Sequence, residues 1–280
     1  MRKDHQPVPA DIMALLRALD RKWITLLKSL SPQDWQKPTI AKLWTIKDVA
    51  AHLLDGNIRI LSMLRDGYFG ERPVDTSYKG MVDFLNGLNA DWVKAMKRVS
   101  PAMLITLHEA TGHLYNDYYA VLDPFGKSAF AVDWAGEKES LNWMQIARDY
   151  TEKWLHQQQV RDALNNDELM TKEFFYPFID IFMLALPHTY REVEAGNGTV
   201  VRITIPGDIG GAWHLVRMAD KWVMDKKEYL NPASELIIDP AVAWKLFSKS
   251  LRPEHVRDKV IVKGNTSLGE TALSMVSVMA

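Results

Sequence analysis

The chain has no cysteine. That absence removes disulfides and thiolate metal ligands together, so a bound metal has to sit on His, Asp or Glu, and thiol chemistry needs a thiol brought from outside. Charge of one sign is lacking as well: 34 Lys and Arg stand against 35 Asp and Glu, a formal net charge of −1. A protein bound mainly through phosphate contacts carries a basic patch or a high isoelectric point, so nucleic acid is not an expected partner. Long apolar runs are missing too. No stretch is apolar for long enough to span a bilayer, and the opening Met1-Arg2-Lys3-Asp4-His5-Gln6-Pro7 lacks the apolar core of a signal peptide. The expectation is a soluble, cytoplasmic protein with no membrane partner.

What is present is globular in kind. Hydrophobic residues make up 47% of the 280 positions and charged residues 25%, enough for one large domain or two of ordinary size. Apolar residues recur at helical spacing from Ala10 to Leu30, and Ser31-Pro32 stops them. Gln33 to Leu43 reads as a connection in which Trp35 packs. Thr45 followed by Asp48 has the form of a capping box, which starts a second helix at Thr45 and carries it to about Arg65. A third helical region, Lys79 to about Tyr119, is interrupted at Ser100-Pro101, where Pro suits the first residue of a restarted helix. Asp123-Pro124-Phe125-Gly126 is a turn, Ala129 to Trp134 suggests a short hairpin, and Ser140 is placed as the cap of a helix running to about Leu164.

Past Asn165-Asn166 the pattern changes, and the boundary is set there: residues 1–166 form a helical bundle and residues 167–280 a smaller α+β domain. In the second part Leu169 to Leu186 reads as helix. Val200 to Ile205, Ala212 to Met218, Lys221 to Met224, Glu235 to Ile238 and Lys259 to Lys263 read as strands. Pro240 to Ser250 and Leu268 to Met279 read as helices.

Chemistry concentrates on the helix after Ser140. Glu152 and His156 are four apart, which stacks them on one face. Such a pair can share a cation but supplies only two ligands. His52, at the edge of the stripe Val49, Leu53, Gly56 and Ile60, is the strongest third candidate, and Gly56 leaves space beside it. Two His and one carboxylate with a position left open are the pattern of catalytic zinc. A bland alternative exists for each: charged residues at helical spacing usually form a solvated face, and a lone His on an apolar face is usually a core residue. Glu109 and His113 repeat the spacing and are a rival pair. Trp143, Ala147, Tyr150 and Trp154 form one stripe, with Glu152, His156 and Gln159 on roughly the opposite side; periodicity alone turns that second set to water unless the helix is covered twice, as a second domain would permit.

Two motifs, Trp44-Thr45-x-x-Asp48-x-x-x-His52 and Glu152-x-x-x-His156 followed by Val160-Arg161, resemble those of the DinB/YfiT-like superfamily and, within it, the mycothiol-dependent maleylpyruvate isomerase family. The resemblance covers nearly the whole chain. It implies a DinB-like four-helix bundle followed by a sterol-carrier-like α+β module, with a divalent metal, zinc by preference, on His52, Glu152 and His156. It also implies a low-molecular-weight thiol such as mycothiol or a substitute, a small-molecule substrate, and pairing into a homodimer. An arginine of the second module would hold a substrate carboxylate; Arg252 matches best, with Arg202 and Arg217 as alternatives. One position departs from the pattern. Many relatives carry aspartate three residues after the second His, where this chain has Gln159, and a Gln carbonyl can still accept the proton of the ring's other nitrogen.

The functional expectation is therefore a metal-dependent enzyme that activates a thiol for addition or transfer to a small electrophile, in the manner of an isomerase or an S-transferase. The alternative is a non-enzymatic carrier of a hydrophobic ligand with a structural metal or none.

Overall fold

A computed structural model describes residues 12–41, 43–131 and 135–275. The chain divides into two compact units, one built from residues up to Phe130 and from Ser140 to Asp167, the other from Ala131 to Glu139 and from Glu168 onward. Helices make up the first unit: α1 (Ile12–Ser29), α2 (Ile46–Ile60), α3 (Tyr78–Met96), α4 (Pro101–Ala120) and α5 (Asn142–Ala163). Its core is apolar. Trp23, Leu26 and Leu27 of α1 meet Trp35, Ile46, Val49, Ala50, Leu53, Leu54, Leu104 and Val160; among these, Trp23, Leu26, Leu27, Val49 and Leu53 are residues that the helical spacing marked out.

Local chemistry explains where these helices begin. The Thr45 hydroxyl accepts from the Asp48 backbone N–H while the Asp48 carboxylate accepts from the Thr45 N–H at 3.0 Å, a complete capping box. Such a cap contributes about 1 kcal/mol and fixes the entry of α2. One π-helical turn, Leu61–Arg65, prolongs α2. Ser100 caps α4 with Pro101 in its first turn, so the restart at Pro101 is a true helix boundary. The start of α5 differs from expectation. Its N-cap is Leu141, whose side chain makes no capping bond; Ser140 stands one residue too early. The strand residues of the expected hairpin from Ala129 to Trp134 lie partly outside the described residues, as do the start of the first helix and the end of the last.

The second unit opens with α6 (Lys172–Met183) and the short α7 (Leu186–Thr189), where one longer helix had been expected. Then come β1 (Val200–Ile205), β2 (Gly211–Met218), β3 (Lys221–Asp225), β4 (Ser234–Ile238), α8 (Pro240–Phe247), β5 (Val260–Gly264) and α9 (Thr266–Thr271). The sheet order is β3-β2-β1-β4-β5, with β1 and β4 parallel and every other neighbouring pair antiparallel. Alternation along each strand puts Val201, Ile203, Ile205, Trp213, Leu215, Leu236 and Ile238 in the core. Trp213 stacks on Tyr176 of α6 and donates its indole N–H to Asp180 at 2.8 Å, which ties that helix to the sheet. A mostly helical first part followed by a small five-stranded α+β unit is the expected fold class.

Candidate metal centre

Helix α5 is buried on nearly every side. Trp143, Ala147, Tyr150 and Trp154 line one side, and Thr151, Gln157, Gln158 and Gln159 are buried as well. The second cover comes from within the same unit. Gln157 donates to the carbonyl of Leu19 on α1 at 3.0 Å, Lys153 donates to Asn57 on α2 at 2.6 Å, and Asp149 accepts from Tyr115 of α4 at 2.8 Å and from Tyr119. Periodicity failed here because α5 sits among α1, α2 and α4 with polar side chains meeting polar partners. Single-sequence patterning cannot tell such a helix from one with a wet face.

That placement brings the three sequence candidates together. His52 Nε2 lies 3.2 Å from Glu152 Oε1, and His156 Nε2 lies 3.0 Å from the same oxygen. One potential ligand atom from each residue falls within 4.8 Å of the others, and this is the cluster among the described residues that could hold a metal ion. The two imidazoles stand edge to face, centroids 4.6 Å apart, and the Trp44 indole lies 4.8 Å from His52 and 6.1 Å from His156. The His side chains are 9% and 12% exposed against 47% for Glu152, so the cluster opens to solvent on its carboxylate side.

The residues fit a cation. Ligand atoms about 2.0–2.1 Å from a tetrahedral ion stand roughly 3.3 Å apart, close to the two spacings to Glu152 Oε1, whereas the three atoms together are grouped within 4.8 Å. His156 Nδ1 donates to Gln159 Oε1 at 2.8 Å, so a bound ion would take the place of the Nε2 proton and use the lone pair of that atom, which faces Glu152. The electrostatics agree. Burial acts against charge on all three groups, yet the two imidazoles hold the Glu152 carboxyl well below its ordinary range. Against its own burial, His156 is raised by Glu152 and Gln159, whereas burial and then the neighbouring His156 push His52 down. A carboxylate kept ionised between His52, which resists a second proton, and His156, which favours one, is an anionic cage for one positive charge.

The rival pair does not converge. Glu109 and His113 are both exposed; the Glu109 carboxylate pairs with Lys28 at 2.5 Å, and His113 Nδ1 bonds to the Glu109 backbone carbonyl. His108, one residue away, is a core histidine. Its Nε2–H donates to the Ala50 carbonyl at 2.9 Å, and burial pushes its pKa down to about 4.

A model of the mycothiol maleylpyruvate isomerase N-terminal domain matches residues 16–161, just over half of the chain. The chain belongs to this family. The matched stretch contains all three members of the cluster. Among solved structures, the mycothiol-dependent maleylpyruvate isomerase and a His-to-Ala variant of it are each similar to this member of the family at 12% identity, with 94% of both chains covered and a TM-score of 0.54. At that identity the likeness is one of fold, and it spans both units. No curated protein matches.

The arginines of this isomerase-family chain are placed differently from one another. Arg252 is exposed at the start of the turn Pro253–His255 in the second unit. Arg202 is tied to Glu235 at 2.9 Å and to the Tyr229 carbonyl, and Arg217 lies 6.0 Å from the Trp222 ring centroid. Arg202 has its carboxylate already, so it is the weakest of the three for an incoming one. Sequence alone marked neither Trp44 as a wall of the site nor the polar layer of Asn57, Tyr115, Tyr119, Asp149 and Lys153. For the residues of α5 the signal was available: Asp149 and Lys153 lie within one turn of Glu152.

Proposed function

We propose that this protein is a metal-dependent enzyme that uses an external thiol to modify a small electrophilic substrate, by isomerisation of a cis-dicarboxylate or by S-transfer. The single observation that carries the reading is the convergence of His52, Glu152 and His156 on one point, with the carboxylate side open. His52, Glu152 and His156 would hold a divalent cation, and zinc suits the two imidazoles and one carboxylate. Bound there, the cation supplies a Lewis acid with an open position, lowering the pKa of a thiol or water so that the nucleophile exists at neutral pH.

The chain's own groups perform the rest. Gln159 fixes the tautomer of His156, and Trp44 with the two imidazole rings walls one side of the reacting centre. With no cysteine in the chain, the attacking sulfur belongs to a low-molecular-weight thiol; mycothiol is the thiol named for the family. In the isomerase reading the thiolate adds to the conjugated double bond of the substrate and rotation follows about the resulting single bond. Expulsion of the same thiolate then returns the trans isomer, so the thiol is regenerated. In the transfer reading the carbon–sulfur bond stays. Arg252 is the candidate partner for a substrate carboxylate, where a guanidinium offers two parallel N–H donors.

The test is metal content and thiol turnover together. Protein purified without a His-tag is expected to hold about one zinc-like ion per chain and to consume an electrophile only when both ion and thiol are supplied. No ion after zinc is added, with an apolar molecule co-purifying, would overturn the proposal in favour of a carrier.

A further inference from the structure

The two histidines of the cluster are held in different ways. His156 Nδ1 has a defined partner, the Gln159 side-chain oxygen at 2.8 Å, and Gln159 is 4% exposed. His52 Nδ1 is buried with no hydrogen-bond partner, its ring resting against Trp44 and the edge of His156. A hydrogen bond on the far nitrogen of a ligating imidazole fixes ring direction and tautomer, and an anionic acceptor there adds electron density that a neutral amide does not. The acceptor in this chain carries no charge. A divalent cation set against the single carboxylate of Glu152 and two neutral imidazoles therefore keeps one unit of positive charge over the ligand set, where a carboxylate acceptor at position 159 would bring the sum over these groups to zero; Arg148, Asp149 and Lys153 stand beside Glu152 in either case.

We infer that Gln159 is a positioning residue: it anchors His156 as the firm ligand and, being neutral, leaves the centre one positive charge with which to take an anion, such as a thiolate, as its remaining ligand. This rests on the metal reading given above and adds the charge of the fourth ligand to it. The open, carboxylate-side exposure of the cluster is where such a ligand would enter.

Cobalt(II)-loaded protein gives the test, since its visible absorption reports the ligand set without any turnover. Competition with a chromophoric chelator is measured for the wild type, Gln159→Leu and Gln159→Glu, and each loaded protein is titrated with azide, with helical content and melting temperature followed in parallel. Gln159→Leu, which keeps the volume and removes the acceptor, is expected to weaken metal retention by about 10- to 100-fold. Gln159→Glu keeps an acceptor and is expected to hold the metal at least as tightly as the wild type while binding azide about tenfold more weakly, because a negative charge is added near the ion. A merely structural role would not separate metal from azide in this way. Equal metal affinity in the wild type and Gln159→Leu overturns the inference alone, as does undiminished azide binding in Gln159→Glu. Failure of the wild type to bind cobalt or zinc overturns the metal reading and this inference with it.

Discussion

His52 and Glu152, one hundred residues apart in sequence, meet through Nε2 and Oε1 at 3.2 Å. The contact brings α2 and α5 together at a titratable pair rather than an apolar one. Two imidazoles share one carboxylate oxygen, and an ion between them would relieve the competition. The first prediction follows: wild-type protein retains about one ion on dialysis, and His52→Ala and His156→Ala both release it while far-ultraviolet circular dichroism stays unchanged. Because Gln159 anchors only His156, the His156→Ala variant is expected to show the weaker residual affinity in chelator competition. Equal retention by all three proteins would remove the ligand assignment.

A second prediction concerns the layer beside the cluster. Asp149 accepts from Tyr115 and Tyr119 and is met by Arg148 at 3.3 Å, and Lys153 stands 4.1 Å above the Tyr115 ring. Removing one member of a buried hydrogen-bonded group strands its partners, at a cost of about 1–3 kcal/mol for each group left unsatisfied. Asp149→Ala is therefore expected to lower the unfolding free energy by several times as much as Tyr115→Phe, which removes one donor and strands nothing larger than one acceptor position. Urea unfolding of both variants and of the double variant measures it, and equal losses in the two single variants would count against the layer as a coupled unit.

Much of this was readable in the residues, and the remainder has physical reasons for being hidden. The capping box at Thr45 and Asp48, the restart at Ser100-Pro101 and the strand Val200 to Ile205 are local signals, each decided by neighbours in sequence, and the structure has them in place. Helix α5 was found, but its burial was not, because what covers Glu152, His156 and Gln159 depends on polar partners contributed by other helices. The same limit explains Ser140, whose residue type favours a cap but which lies one residue before the N-cap Leu141. At the site, the four-residue spacing of Glu152 and His156 could not be told from that of Glu109 and His113. Packing separates them: α5 is central, while the other pair lies exposed on α4 with Lys28 already engaged.

The acid response of the fold should trace to His108. Its pKa is about 4 in the folded chain against about 6.5 in an unfolded one. Between these values the unfolded chain binds more protons, so stability is complete above about pH 6.5 and falls on acidification by about 1.4 kcal/mol per pH unit until about pH 4. Urea unfolding of metal-free protein at pH 7 and pH 5 is expected to show a loss from this group of about 2 kcal/mol that His108→Gln lacks. Other titrating groups are common to both proteins and cancel in the difference. The same pH dependence in wild type and variant would place the acid sensitivity elsewhere.

Two glycines test the packing of the first unit in opposite directions. A β-carbon added at Gly56 on α2 meets nothing within 4 Å, whereas one added at Gly112 on α4 comes within 2.5 Å of both Asp20 carboxylate oxygens on α1. In a helix interior, alanine is favoured over glycine by roughly 0.5–1 kcal/mol when nothing is in the way. Gly56→Ala is accordingly expected to raise the melting temperature by a few degrees. At Gly112 the added carbon meets the Asp20 carboxylate and its Cγ at 2.8 Å, on a side chain with only two rotatable bonds, so overpacking is expected to cost about 1–3 kcal/mol and outweigh the gain in propensity. The decisive comparison is Gly112→Ala alone against Gly112→Ala combined with Asp20→Ala, which removes the obstructing carboxylate. Restored stability in the double variant would assign the loss to that contact, and a loss undiminished in the double variant would assign it to the helix backbone.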